Sequence, residues 1–136
     1  MQNKDFTGEA FYGTKEFAAM MNLYDSAARL LKLKFEVLND EFNLLYARNP
    51  IHHIESRLKS AESIAAKLIK KGLPVTIESA MQNVNDVAGV RVVCNYIDDV
   101  YSVAEMFARQ PDLTVVKRQD YIAKPNYNGY RSLHLD

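Results

Sequence analysis

Cysteine is almost missing from this chain of 136 residues, with Cys94 standing alone. An internal disulfide is therefore excluded, and a reducing compartment is expected. Cys94 sits in an apolar, strand-like run and reads as inert core. Histidine is nearly as scarce: His52 and His53 are adjacent, so on a strand they would face apart, and His134 is distant. No structural zinc site is expected from such a set. Net charge is also missing, since 17 basic residues balance 17 acidic ones. No global field draws the chain to nucleic acid or to a membrane, so any anion site must be local. Apolar runs are too short to span a bilayer, and the N-terminus lacks the pattern of a secretory signal, which gives a cytoplasmic expectation. Neither the glycine-rich dinucleotide turn nor the P-loop pattern occurs, and no serine lies in a Gly-x-Ser-x-Gly elbow. If phosphate is bound, side chains must carry the load.

What is present suits one globular domain, with 48% hydrophobic and 25% charged residues. Residues 1–13 show no sustained period and are expected to form a flexible arm. From Thr14, apolar residues step by threes and fours through Phe17, Met21, Tyr24, Ala28, Leu31, Phe35, Leu38, Phe42 and Leu45. That spacing predicts a long amphipathic helix within 14–49, with Met20, Leu30 and Leu44 widening its stripe toward a packed face. Apolar surface on such a helix also suggests a homo-oligomer. Asn49-Pro50 closes it, and residues 50–136 read as the second segment. There, a strand over 51–58 leads into a helix ending near Gly72. A helical turn over 76–83, a central buried strand over 86–96, and a helix from Asp98 to Arg109 follow. Strands over 113–118 and 130–135 flank a turn-rich loop. The alternation predicts an α/β (α+β-like) fold with helices covering a sheet.

The stretch from Arg57 to Lys71 gathers cations and hydroxyls where that first strand hands over to a helix. Period two puts Arg57 and Lys59 on one strand face, and Ser60 reads as an N-cap. Ser63 and Lys67 then share a polar edge at i, i+4 spacing. A helix N-terminus with free N–H groups among cations can seat a polyphosphate, although a solvated basic face has the same composition. Asp86, at the entry of the apolar strand, is either a turn residue after Asn85 or a Mg²⁺ ligand. Tyr130 begins the last strand after a glycine turn, either packing or offering its ring to a base, with Ser132 and His134 on the same face.

Four motifs then stand in order: Arg57-Leu58-Lys59-Ser60 with Ser63 and Lys67; Asp86 through Cys94; Asp120-Tyr121-Ile122; and Asn128-Gly129-Tyr130-Arg131-Ser132-Leu133-His134. Together they resemble the RelA/SpoT-type alarmone synthetases, in particular the small single-domain branch. The resemblance implies a nucleotidyltransferase-like mixed β-sheet flanked by helices, and transfer of pyrophosphate from ATP to the 3′-hydroxyl of GDP or GTP. Carried onto this chain, it gives Arg57, Lys59, Ser63 and Lys67 to the ATP phosphates. Asp86 becomes the Mg²⁺ ligand, counted with Arg57 and Lys59 as catalytic. Tyr130, His134, Lys124 and Asn128 fall to the guanine nucleotide. A homo-oligomer, specifically a tetramer, is the implied assembly.

Two departures from that family pattern stand out. Asn126 occupies a position where family members commonly place lysine, which leaves Lys124 as the nearest cation. Members also continue past the final strand into one carrying a glutamate, the second Mg²⁺ ligand, so the chain is expected to be a truncated form. The competing expectation is a non-catalytic nucleotide-binding or regulatory fragment that acts through oligomerisation. A third, an RNA-associated module, is disfavoured by the zero net charge and the few clustered aromatics.

Overall fold

A computed structural model describes residues 14–45, 49–125, 127–129 and 131–136. The expected arm over 1–13, Asn126 and Tyr130 lie outside the described residues. Helix α1 runs Lys15–Leu45, followed by strand β1 (Ile51–Leu58), α2 (Ala61–Lys70), α3 (Ile77–Asn83), β2 (Ala88–Cys94), α4 (Ile97–Ala108), β3 (Arg118–Asp120) and β4 (Leu133–Leu135). The mixed α+β class and the long N-terminal helix agree with the sequence reading. Among the described residues, strand pairing forms two small sheets, β1 with β2 and β3 with β4.

The chain divides into two compact units, Met1–Leu38 with Ile54–Arg91, and Asn39–His53 with Val92–Asp136. In the first, the core joins Phe17 and Met20 of α1 to Ala61, Ile64, Ala65 and Leu68 of α2, and to Val75, Ala80, Val84 and Val87. The buried residues of α2 recur at helical spacing, which leaves Ser63 and Lys67 on its outer edge. Ser60 caps α2 as expected. At the other end, Gly72 adopts φ +72°, and Leu73 N–H donates to Leu68 O at 2.9 Å, closing a left-handed C-terminal turn that suits glycine. Thr76 caps α3 by accepting from Ser79 N–H.

The end bonds of the first sheet give its sense. Lys59 N–H donates to Val87 O at 2.7 Å and Asn95 N–H to Pro50 O at 3.0 Å. Residue numbers fall on one strand as they rise on the other, so β1 and β2 are antiparallel. The expectation of a β2 buried on both faces is corrected: Arg91 is exposed and the rest of the strand half-buried. A β-branched run has the same pattern whether one face or both are covered. Cys94 is half-buried, and burial, with the nearby Asp99 charge, pushes its thiol up to about 11, so it stays protonated at neutral pH. His52 and His53, expected to face apart, approach with Nδ1 atoms 2.9 Å apart. Both are exposed, and their rings meet edge-on with centroids 5.2 Å apart.

In the second unit, β3 and β4 pair antiparallel in the register Arg118↔Leu135, Gln119↔His134, Asp120↔Leu133. The strand expected over 113–118 is thereby displaced toward the C-terminus. Val116 and Lys117 still bond to Asp136 through the backbone, whereas residues 113–115 form no ladder among the described residues. Within residues 131–136 the last strand begins at Leu133, although Tyr121 N–H donates to Ser132 O at 2.7 Å and extends the pairing by one step. Leu30 and Leu44, expected to widen the packed face of α1, are 64% and 85% exposed, and Leu45 is exposed too. The first two belong to a separate line, Leu23, Leu30, Val37 and Leu44, spaced seven apart and exposed along its length.

Candidate functional site

Local chemistry builds the first cluster. Ser60 has extended backbone and its Oγ accepts from Ser63 N–H at 3.1 Å, satisfying one of the free donors of the first turn. The same hydroxyl donates to Ser63 Oγ at 3.0 Å, so both serines stand at the entrance of α2. The backbone bond from Lys59 to Val87 holds the end of β1 beside the turn that precedes β2. That turn carries Asp86, and both of its oxygens are engaged: Lys59 Nζ lies 3.1 Å from Oδ2 and Lys67 Nζ 2.9 Å from Oδ1. Burial alone would raise the Asp86 pKa, but hydrogen bonds from Lys67 and Lys59, with their charges, outweigh it and hold the carboxyl below its usual value of 3.8. Arg57, two residues before Lys59 on the strand, is exposed and has no ion pair among the described residues.

The structure thus brings together Lys59, Lys67 and Asp86, while Ser63 stands one helical turn before Lys67 on α2 and Arg57 lies on β1 outside these contacts. Lys71, from the same basic stretch, does a different job: its ammonium donates to the Asn83 carbonyl at 2.9 Å, at the end of α3. The net charge of Lys59, Lys67 and Asp86 together is positive, and their heads are only partly covered. Such a group can exchange partners with an anion that brings its own cation. As a metal ligand, Asp86 offers hard oxygens, which suit Mg²⁺ when phosphate oxygens and water complete the shell. Among the described residues no three His, Cys, Asp or Glu side chains group together.

A second cluster lies in the other unit and centres on Asp120, whose role the sequence motif left open. Its carboxylate accepts from the Tyr101 hydroxyl, 3.0 and 2.9 Å from the two oxygens, and from the N–H groups of Ile122 and Ala123, each at 3.0 Å. Lys124 N–H donates to the Asp120 carbonyl. Arg118, on the same strand face as Asp120, reaches Glu105 of α4 at 3.3 Å. On the opposite face, Tyr121 packs edge-on against His134, ring centroids 5.6 Å apart, as their diagonal positions in the register require. Ser132 shares that face, and its buried Oγ has no partner among the described residues. Lys124, Asn128 and His134 are exposed, with Gly129 at φ +86° in the loop between them. Tyr101 was not foreseen, because nothing in the sequence ties α4 to a residue 19 positions on.

Residues 56–136 match the family model described as a region found in RelA / SpoT proteins. The chain belongs to the RelA/SpoT family. The GTP pyrophosphokinase YwaC of Bacillus subtilis is 44% identical over 113 residues, covering 83% of this chain and 54% of that protein. The small alarmone synthetase 1 of Bacillus subtilis bound to its product pppGpp superposes with a TM-score of 0.80 at 32% identity, over 90% of this chain and 61% of that one. The same synthetase bound to AMPCPP gives a TM-score of 0.71 at 30% identity, over 81% and 57%. The chain spans about half the length of YwaC and of a second Bacillus subtilis GTP pyrophosphokinase, YjbM.

Proposed function

We propose that the chain carries the nucleotide-handling part of a GTP pyrophosphokinase, which moves pyrophosphate from ATP to the 3′-hydroxyl of GDP or GTP and releases AMP. The observation that carries this reading is the double ion pair of Lys59 and Lys67 on Asp86 beside the Ser60-capped entrance of α2. Two relatives add weight: the one named a GTP pyrophosphokinase, and the small alarmone synthetase captured with pppGpp and with AMPCPP.

In the reaction a bond forms between O3′ of the acceptor and the β-phosphorus of ATP while the bond from that phosphorus to the α-phosphate oxygen breaks; AMP leaves with that oxygen, and the O3′ proton passes to solvent. Little covalent work falls to the protein, so alignment and charge neutralisation dominate. Lys59 and Lys67 leave Asp86 for phosphate oxygens, Arg57 supplies a further cation, and Ser63 with the first-turn N–H groups receives an anionic oxygen. Asp86, once released, would hold Mg²⁺, and the ion would supply charge neutralisation for the transferred phosphates. Tyr130, His134, Lys124 and Asn128 take the acceptor nucleotide, the tyrosine by stacking and the others by polar contact.

The same reading gives a cytoplasmic protein, residues 14–49 as a helical segment before a synthetase segment over 50–136, and a homo-oligomer, a tetramer in its specific form. Among the described residues no helix is long and apolar enough to cross a membrane. The exposed line Leu23, Leu30, Val37 and Leu44 supports assembly, since apolar residues repeating every seven positions form one of the two lines of a helix-pairing seam and leave apolar surface to cover. Incubating the chain with ATP, GDP and Mg²⁺ tests the function. AMP and guanosine tetraphosphate are the expected products, while nucleotide binding without AMP would favour the non-catalytic fragment.

A further inference from the structure

We propose that Tyr101 is a positioning residue for the acceptor nucleotide, acting through Asp120 on Lys124 and on the Tyr121–His134 ring pair. The proposal rests on the reading of that hairpin face as the guanine-nucleotide side. Tyr101 touches no proposed ligand group itself. Its hydroxyl spans both oxygens of Asp120, and Asp120 in turn gathers three amides of the following turn, Ile122 and Ala123 on the carboxylate and Lys124 on the carbonyl. One side chain of α4 thereby fixes the turn from which Lys124 projects.

The register explains why a residue on one face of the hairpin governs the other. Arg118 and Asp120 point toward α4, where they meet Glu105 and Tyr101, while Gln119, Tyr121 and His134 lie on the opposite face. Fixing Asp120 fixes the backbone of its neighbour Tyr121, whose N–H holds Ser132 O and whose ring meets His134 edge-on. The hydrogen bonds on Asp120, from Ala123 first, then Tyr101 and Ile122, hold its carboxyl below the ordinary value against the effect of desolvation. A carboxylate that stays ionised is the stronger acceptor for the phenol. Phosphate and ribose recognition tolerates little displacement, so loosening this turn should weaken acceptor binding without touching the cluster around Asp86.

The test compares the wild-type chain with Tyr101→Phe, which keeps the ring and removes only the donor, and with Asp120→Asn, which keeps Tyr101. Each is titrated with GDP and separately with AMPCPP, and the His134 ring signals are followed by NMR in the ligand-free chain. The expected result is GDP affinity lowered about tenfold in both variants, the cost of re-ordering the loosened turn on binding. AMPCPP affinity should stay unchanged and the His134 signals should move as the Tyr121 edge shifts. Equal loss for both ligands would mark a purely structural role and overturn the proposal. So would wild-type GDP affinity with unmoved His134 signals, while leaving the proposed function intact. A wild-type chain that binds AMPCPP but no GDP would instead overturn the guanine reading of the hairpin, and this assignment with it.

Discussion

Lys67 Nζ sits 2.9 Å from Asp86 Oδ1 while Lys59 Nζ holds the other carboxylate oxygen at 3.1 Å. Two cations from different elements converge on one carboxylate, and each is a group that the reaction would need for another purpose. The resting arrangement keeps both lysines near the place where phosphate is expected, with the opposite charge between them. Removing any one member changes what the other two can do.

Lys67→Ala and Arg57→Ala should each lower the rate of AMP formation by roughly 10²-fold or more, the usual consequence of losing an aligned charge in a transfer site. Steady-state assays with ATP, GDP and Mg²⁺ measure this. Rates like those of the wild type would defeat the assignment of these residues to the ATP phosphates.

The depressed pKa of Asp86 has a definite sign in stability. A carboxyl with its folded value below its unfolded one stabilises the fold above the unfolded pKa and loses that contribution as pH falls through the folded value. Melting curves of the wild type and of Asp86→Asn, taken from about pH 6 down to about pH 3, should converge toward the acid end. A constant gap between them would show that the ion pairs contribute nothing to folding.

The helix that presents Lys67 depends on its cap and its stripe. Ser60→Ala removes the acceptor for Ser63 N–H and should cost about 1 kcal/mol in denaturant unfolding. Leu68→Ala, at a position with 0% exposure, should cost about 2–5 kcal/mol. A smaller loss for Leu68→Ala than for Ser60→Ala would contradict the packing described for α2.

Placing lysine at Leu30 and Val37 together should abolish self-association while leaving the Phe17 and Met20 core contact untouched. Sedimentation at micromolar concentration reads the outcome. A wild-type chain that is already monomeric there would remove the case for the α1 seam.

Much of the first unit was legible because the local signals agree. The shift from period two to helical spacing at Ser60, the serine cap and Gly72 all mark the same junction, and β1 and α2 fall where those signals put them. The partnership of Lys59 and Lys67 with Asp86 was not legible, since it arises from the pairing of β1 with β2, and nothing local announces that pairing. The motif residues were visible as types; their contacts were not. Val115 and Val116 resembled a strand by composition, yet the register set by Leu133 to Leu135 places regular pairing further on. Leu30 and Leu44 fit the packed stripe by spacing alone, and only the position of the core separates them from it.

The two lysines on Asp86 also bear on which molecules the site refuses. A free monophosphate brings negative charge alone and would have to pull ammonium groups off the carboxylate, stranding Asp86 without compensation. A bare divalent ion meets the converse obstacle, because the oxygens it needs are already occupied. A visitor bearing both signs, as a metal-chelated polyphosphate does, would satisfy all three residues in one exchange. Abundant simple anions and free magnesium should therefore compete poorly for this entrance.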